Sequence, residues 1–267
     1  DLTRAGCDVI LIDQWPAHVE AMKAHGLRVV MPDEELHTPV RAHHLCEMCA
    51  LNSQYDIVLL AAKSYDSCWM AEFIKPYLNP DGVLVSVQNS LNDEWLAPIV
   101  GVTRDIGCVI ELSAEIFTPG LVQRNTSHHA TWFGLGELHG RITPRLREIE
   151  VIMSHAGKVT LTANIWGVKW TKLINSSMML GGLGVLGLNA WEATAPDVME
   201  LLVAYGHGIE GEPGRSLLTL VRDLRGSGWW QRMDALGSRY VTFITYELEA
   251  AEKAGTVFHR PPKSAMS

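Results

Sequence analysis

The sequence lacks the features that mark several classes of protein. Its 267 residues include 22 basic and 30 acidic side chains, which gives a formal net charge of −8, and no basic block occurs. We expect no nucleic-acid partner, because such binding relies on neutralising phosphates. No apolar run reaches the roughly 18 to 20 residues that cross a bilayer, and the opening residues do not resemble a signal peptide. We accordingly expect no membrane partner.

Cysteine is scarce, and its distribution argues against a disulfide framework. The chain has an odd, scattered set of five: Cys7, Cys46, Cys49, Cys68 and Cys108. This pattern favours a reducing, cytoplasmic location. Cys46 and Cys49 form a CxxC motif just after His43 and His44, but a structural zinc site needs a second pair or histidines at ligand spacing. We therefore expect no metal.

Common catalytic and phosphate-binding motifs are also missing. The sequence contains no G-x-S-x-G elbow and no Walker A loop. A literal G-x-G-x-x-G, "GLGVLG", runs from Gly182 to Gly187, but it follows a helical run, whereas a dinucleotide loop follows a strand. We interpret these glycines as sites of close helix packing or bending.

What the sequence does contain is an alternation of strand-like and helix-like segments over its first 163 residues. With 47% hydrophobic residues, this alternation predicts an α/β domain with a Rossmann-type, mostly parallel sheet. Residues 164–267 look helical with glycine breaks, which predicts an all-α substrate or dimerisation domain. The predicted strands are 7–13, 27–31, 55–62, 81–89 and 105–116; the predicted helices are 16–26, 67–78, 92–100 and 144–157; "LVQRN" and "ATWFGLG" are predicted to form a hairpin.

The N-terminal segment "DLTRAGCDVILID" resembles the end of a helix, a glycine cap at Gly6 and then a strand. In a Rossmann unit the second strand ends on an acid that bonds the adenosine ribose hydroxyls, and Asp13 stands at that position. We therefore expect the first strand and the glycine-rich loop to be absent from this chain, through truncation or true loss. Asp13 has a second interpretation, as an ordinary acid in a turn after a strand.

Several segments in order resemble the ketopantoate reductase (2-dehydropantoate 2-reductase) family, from about residue 1 to residue 190. "DIVLLAAKSYDS" is similar to the family's strand that ends in a lysine, here Lys63. "LVSVQNSLNDEWL" resembles its Q-N-G-L-x-N-E turn, here with Gln88 and Asn89, and "VKWTKLINSSMML" resembles its K-L-x-x-N segment. The resemblance implies a Rossmann domain, a helical C-terminal domain and an NAD(P) cofactor.

The resemblance also implies residue roles. Lys172 matches the catalytic lysine, which exchanges a proton with the substrate oxygen as hydride arrives at the carbon. Asn89 matches an asparagine that contacts the nicotinamide ribose or the substrate, and Lys63 and Gln88 are expected near the cofactor. Lys172 has an alternative role as a long side chain packed on tryptophan with its head in water. For Lys169 we expect that surface role.

Departures from the family pattern fall in the expected substrate pocket. The asparagine four residues after the catalytic lysine is replaced by Ser176, and Asn175 lies about 100° away around a helix. The glutamate of the family's S-x-x-x-D…T-E-I-D segment is replaced by Gln231 or Arg232. These residues are the expected substrate contacts, and the changes predict a substrate other than ketopantoate.

The sequence thus predicts a two-domain oxidoreductase that interconverts a 2-keto acid and a 2-hydroxy acid. Asp13 favours NAD, because a carboxylate repels the 2′-phosphate of NADP, although NADP stays open. One alternative is a 3-hydroxy acid dehydrogenase of the 6-phosphogluconate dehydrogenase-like group. Another is a non-catalytic binding protein on a Rossmann scaffold. Apolar helices in the second domain suggest a homodimer.

Overall fold

The computed structural model describes residues 1–51 and 53–177, with the single positions 198 and 202. The chain divides into two units between Trp170 and Thr171. Within the described residues, the first unit is an α/β domain of Rossmann type. The predicted all-α domain over 164–267 lies mostly outside the described residues, and the boundary after residue 163 stays a prediction.

The described residues alternate between strands and helices, as the sequence predicts. The α-helices are α1 (Pro16–His25), α2 (Ser67–Ile74), α3 (Asp93–Val100), α4 (Pro144–Ser154) and α5 (Ile165–Ser176). The strands are β1 (Ile10–Asp13), β2 (Leu27–Val30), β3 (Glu35–Thr38), β4 (Arg41–His44), β5 (Tyr55–Leu60), β6 (Leu78–Val87), β7 (Asp105–Glu111), β8 (Ala114–Thr118), β9 (Leu121–Arg124), β10 (Trp132–Glu137) and β11 (Lys158–Leu161).

Five strands form the main sheet, in the spatial order β11-β10-β7-β6-β5. Three of its four neighbouring pairs are parallel, and β10 runs antiparallel to β7. The mostly parallel sheet is thereby confirmed. Alternate residues of β6 face opposite sides: Val83 and Val85 belong to the core that includes α4, and Leu84 belongs to the core that includes α2 and α3. Burial on both faces explains why residues 82–85 of this strand are consecutive apolar residues.

Two smaller sheets complete the described part. Strands β1 and β4 pair in parallel, and β3-β2-β9-β8 form a four-stranded sheet. The predicted hairpin of "LVQRN" with "ATWFGLG" is wrong, because β9 pairs with β8 and β2 while β10 pairs with β7 and β11. The predicted strand 105–116 is also two strands, β7 and β8, which belong to different sheets. Gly120, at φ 75°, lies in the turn of the hairpin that does form, between β8 and β9.

Glycines on two neighbouring strands determine where α5 begins to pack. Gly107 of β7 is paired with Gly136 of β10. A Cβ atom at Gly107 would lie 2.6 Å from Cγ1 of Ile165, and one at Gly136 would lie 2.7 Å from Cβ of Ile165. The absence of both side chains therefore lets the first turn of α5 approach the sheet closely, and Ile165 is 1% exposed.

Candidate active site

A hydrogen-bonded group of amide and hydroxyl side chains, of which Ser67, Gln88 and Asn92 are buried, joins the loops that follow β5 and β6. The Gln88 side chain donates to the Ala62 carbonyl at 2.6 Å and accepts from Ser67 Oγ at 3.1 Å. Asn92 donates to Ser64 Oγ at 3.0 Å and to Gln88 Oε1 at 3.3 Å. Because ligands of open α/β sheets bind outside the carboxyl ends of the strands, this group fixes the backbone where a ligand is expected.

Asn89 lies in the same loop and is exposed. Its Oδ1 accepts a hydrogen bond from the Ile110 backbone N–H at 3.3 Å, and its backbone carbonyl accepts one from Asn92 at 3.2 Å. Occupation of Oδ1 leaves the side-chain NH₂ group as the part of Asn89 that can donate to a ligand. The next residue, Ser90, has φ 72°, a left-handed conformation that is unfavourable for a residue with a Cβ.

Lys169 of α5 is fully buried, which contradicts the prediction that its head lies in water. Its Nζ lies 2.5 Å from Oδ2 of Asp93, another fully buried residue. The ammonium also donates to the Gln88 carbonyl at 3.3 Å and to Ser86 Oγ at 3.4 Å. The physical reason is helical spacing, because Lys169 is four residues after Ile165 and shares the face that packs on the sheet.

A second carboxyl group lies close to this ion pair. Asp105, the first residue of β7, is fully buried. Burial, and secondly the neighbouring Asp93 carboxylate, raise the pKa of Asp105 to about 8, while the Lys169 ammonium acts in the opposite direction. Burial also raises the pKa of the Cys108 thiol to about 12. Burial therefore favours the protonated form of both groups, and Cys108 is a core thiol.

The first unit holds the other predicted cofactor contacts at the ends of strands. Asp13 is the last residue of β1, and its Oδ1 accepts from the Trp15 backbone N–H at 2.7 Å. This is the bond that a turn acid makes, so both interpretations of Asp13 remain. Lys63 is exposed and directly precedes a short 3-10 helix at residues 64–66.

The predicted catalytic residue and the predicted substrate residues other than Asn89 lie in the second unit. Lys172 and Ser176 are half-buried and Asn175 is exposed, all on the last turns of α5. Gln231 and Arg232 lie outside the described residues. The roles of these five residues stay predictions.

Sequence reasoning missed the buried pair of Lys169 and Asp93 and the buried Asp105. The only signal for the pair was a lysine within an apolar helical run, and that signal was assigned to Lys172 alone. Nothing in the local pattern of "NSLNDEWL" distinguishes Asp93 from the exposed Glu94 beside it.

The described part of the chain holds neither a metal-binding cluster of side chains nor a membrane-spanning helix. Over residues 1–51 and 53–177, no group of three or more His, Cys, Asp or Glu side chains is placed to hold a metal ion. Cys46 and Cys49 are free thiols on the surface. Among the same residues, no helix is both long and apolar enough to span a membrane.

A family model and a curated relative point to the same family. The family model described as "Ketopantoate reductase PanE/ApbA" matches residues 1–137, which include Asp13, Lys63, Gln88 and Asn89 but not Lys172. A 2-dehydropantoate 2-reductase of Mesorhizobium japonicum is 27% identical over 205 residues, 67% of this chain and 61% of that enzyme. The chain thus spans less than two thirds of that relative's length.

Solved structures with similar folds include two differently named kinds of enzyme. The 2-dehydropantoate 2-reductase from Geobacter metallireducens GS-15 has a TM-score of 0.68 at 22% identity, covering 94% of each chain. A D-mandelate dehydrogenase, solved with NADH and anilino(oxo)acetate, also has a TM-score of 0.68, at 18% identity, covering 95% of this chain and 93% of that one. At these identities the likeness establishes the fold.

Proposed function

We propose that this chain, which belongs to the ketopantoate reductase PanE/ApbA family, is a nicotinamide-dependent oxidoreductase. Its reaction would interconvert a 2-keto acid and a 2-hydroxy acid. The observation that carries the proposal is the loop after β6, where Gln88 and Asn92 fix the backbone on either side of Asn89. This loop lies within the part of the chain that matches the family.

The residues of the first unit suit a nicotinamide dinucleotide. Asp13 offers a carboxylate at the end of β1 for the adenosine ribose, and its Oδ2 remains for a hydroxyl when Oδ1 accepts from Trp15. The Asn89 side chain offers its NH₂ group, and Lys63 offers an exposed ammonium beside the end of β5. When bound, the cofactor supplies or accepts the hydride at carbon 2 of the substrate.

The remaining chemistry belongs to residues of the second unit. Lys172 would donate a proton to the substrate oxygen during reduction and remove it during oxidation. Ser176 and Asn175 would hydrogen-bond the substrate, and Gln231 or Arg232 would take the place of the glutamate in the family pattern. A guanidinium or amide at that place suits an anionic substrate that lacks the hydroxyl of ketopantoate.

Two further points support finer features of the proposal. Asp13 favours NAD, because its charge would repel a 2′-phosphate, and the similar D-mandelate dehydrogenase was solved with NADH. That enzyme's name, together with Trp229 and Trp230 of this chain, directs attention to 2-hydroxy acids that carry an aromatic group. We therefore propose NAD as the cofactor and an aromatic or bulky 2-keto acid as the substrate.

The test is a set of initial rates with NADH and NADPH against ketopantoate, phenylglyoxylate, an aliphatic 2-keto acid and a 3-oxo acid. Lys172→Ala should lower kcat by about 10²- to 10⁴-fold, the range of a lost general acid. Lys158→Ala, at an exposed position of β11, is the matched control and should leave the rates unchanged. Equal rates for wild type and Lys172→Ala would refute the role of Lys172. Turnover of the 3-oxo acid alone would replace the substrate class.

A further inference from the structure

We propose that Lys169 and Asp93 are positioning residues, which hold the loop from Gln88 to Asn92 in the shape that presents Asn89. This inference rests on the proposed function, in which Asn89 contacts the cofactor or the substrate. Neither residue is assigned a role by the family resemblance. Both belong to the first unit, as does the loop on which they act.

One ammonium group contacts the two ends of this loop. Lys169 Nζ donates to the backbone carbonyl of Gln88, the first residue of the loop, at 3.3 Å. The same nitrogen lies 2.5 Å from the carboxylate of Asp93, the residue at which α3 begins. Ser86 Oγ donates to the other carboxylate oxygen of Asp93 at 2.5 Å, which connects the end of β6 to the start of α3.

Planarity of the peptide bond transmits this contact to Asn89. The Gln88 carbonyl and the Asn89 N–H belong to one rigid peptide plane, so a donor that fixes the carbonyl also fixes the backbone from which the Asn89 side chain projects. The Ile110 N–H then orients the side-chain amide through Oδ1. With its carbonyl and its Oδ1 both engaged, Asn89 is held in place before any ligand arrives.

Stability alone does not account for charges at this position. Burying two ions is costly, and well-packed apolar residues of similar volume often replace such a pair without loss. An apolar side chain at position 169 would fill the space but would leave the Gln88 carbonyl without the donor it has here. The hydrogen bond to that carbonyl is therefore the feature of Lys169 that an apolar residue cannot supply.

The variants must separate positioning from folding. Lys169→Met alone leaves the Asp93 carboxylate buried without its counter-ion, so the key variant is Lys169→Met combined with Asp93→Asn. The asparagine can still accept from Ser86, and no net charge is buried. Lys158→Met, at an exposed site on β11, is the control. Urea unfolding should find the double variant more stable than Lys169→Met alone.

Three measurements then test the proposal. In the double variant we expect faster hydrogen exchange of the amides of residues 88–92, at least tenfold weaker binding of NADH by fluorescence titration, and at least a tenfold lower kcat/KM. Asn89→Ala should weaken NADH binding in the wild-type background and add little in the double variant, because the loop has already lost its alignment.

Each negative outcome has a distinct meaning. A double variant with wild-type exchange at residues 88–92 would refute the anchoring of the loop. Losses that simply add to those of Asn89→Ala would refute action through Asn89. If the wild type neither binds a reduced nicotinamide nor turns over any keto acid, the proposed function fails, and the exchange measurement still decides whether Lys169 anchors the loop.

Discussion

Gly107→Ala tests the close packing of α5 on the sheet, which places Lys169 in the buried interior. The new Cβ would lie 2.6 Å from Cγ1 of Ile165 and 3.4 Å from Cε of Lys169. Ile165 is almost fully buried, and the contacted atom is attached to its branched Cβ, so the side chain has little freedom to rotate away. Either α5 or the strand must therefore move.

The magnitude follows from two opposing effects. Forcing an extra methyl group into a packed core typically costs about 1–3 kcal/mol. Replacing glycine by alanine where φ is not left-handed returns about 0.4–1 kcal/mol through the unfolded chain. We expect a net loss of about 1–2 kcal/mol, which lowers Tm by about 2–8 °C in a protein of this size.

The assay is urea unfolding of four proteins: wild type, Gly107→Ala, Ile165→Ala and the double variant. Ile165→Ala alone should cost about 2–5 kcal/mol because it leaves a cavity. In that background Gly107→Ala should be neutral or stabilising, because the atom it clashes with is gone. An equal cost in both backgrounds, or no cost in either, would show that Ile165 does not limit the approach of α5.

Two further predictions concern the same region. Because the pKa of Asp105 is raised to about 8 in the folded protein from an ordinary value of 3.8, the folded state retains a proton that the unfolded state loses. Its contribution to stability is full below pH 3.8 and is lost as the pH rises toward 8, at up to about 1.4 kcal/mol per pH unit. In urea unfolding, the stability of Asp105→Asn relative to wild type should therefore increase between pH 5 and pH 8. The control Asp81→Asn, at an exposed site, should show no such increase. Parallel pH curves for Asp105→Asn and wild type would contradict the raised pKa of Asp105. Ser90→Gly should raise the free energy of unfolding by about 0.5–1 kcal/mol, because glycine avoids most of the steric cost of the left-handed conformation at φ 72°. A decrease, measured by urea unfolding, would mean that the serine side chain stabilises the turn.

The strands that carry the candidate site were predictable because they are buried on both faces. The predicted strand 81–89 supplies most of β6, and the apolar run 55–62 supplies β5. Strands β3 and β4 were missed because "ELHT" and "RAHH" are polar and only four residues long. The wrong hairpin prediction has a different cause. The local sequence pattern identifies β9 and β10 as strands, but it does not indicate which strands they pair with.

The position of Lys169 could not be predicted for a related reason. Helical periodicity groups residues on a face, but it does not say which face lies against the sheet. That choice depends on Gly107 and Gly136, which precede Ile165 by 58 and 29 residues and become neighbours only when β7 pairs with β10. The burial of Lys169 is thus a consequence of strand pairing.

The most direct test of the central claim follows the hydride itself. Reduced nicotinamide cofactor carrying deuterium at the transferable position is incubated with the protein and a 2-keto acid, and the product is examined by mass spectrometry. We expect one deuterium at carbon 2 of a 2-hydroxy acid, with NADH preferred over NADPH. Absence of label from every 2-keto acid with both cofactors would contradict the claim that this chain catalyses hydride transfer to that class of substrate.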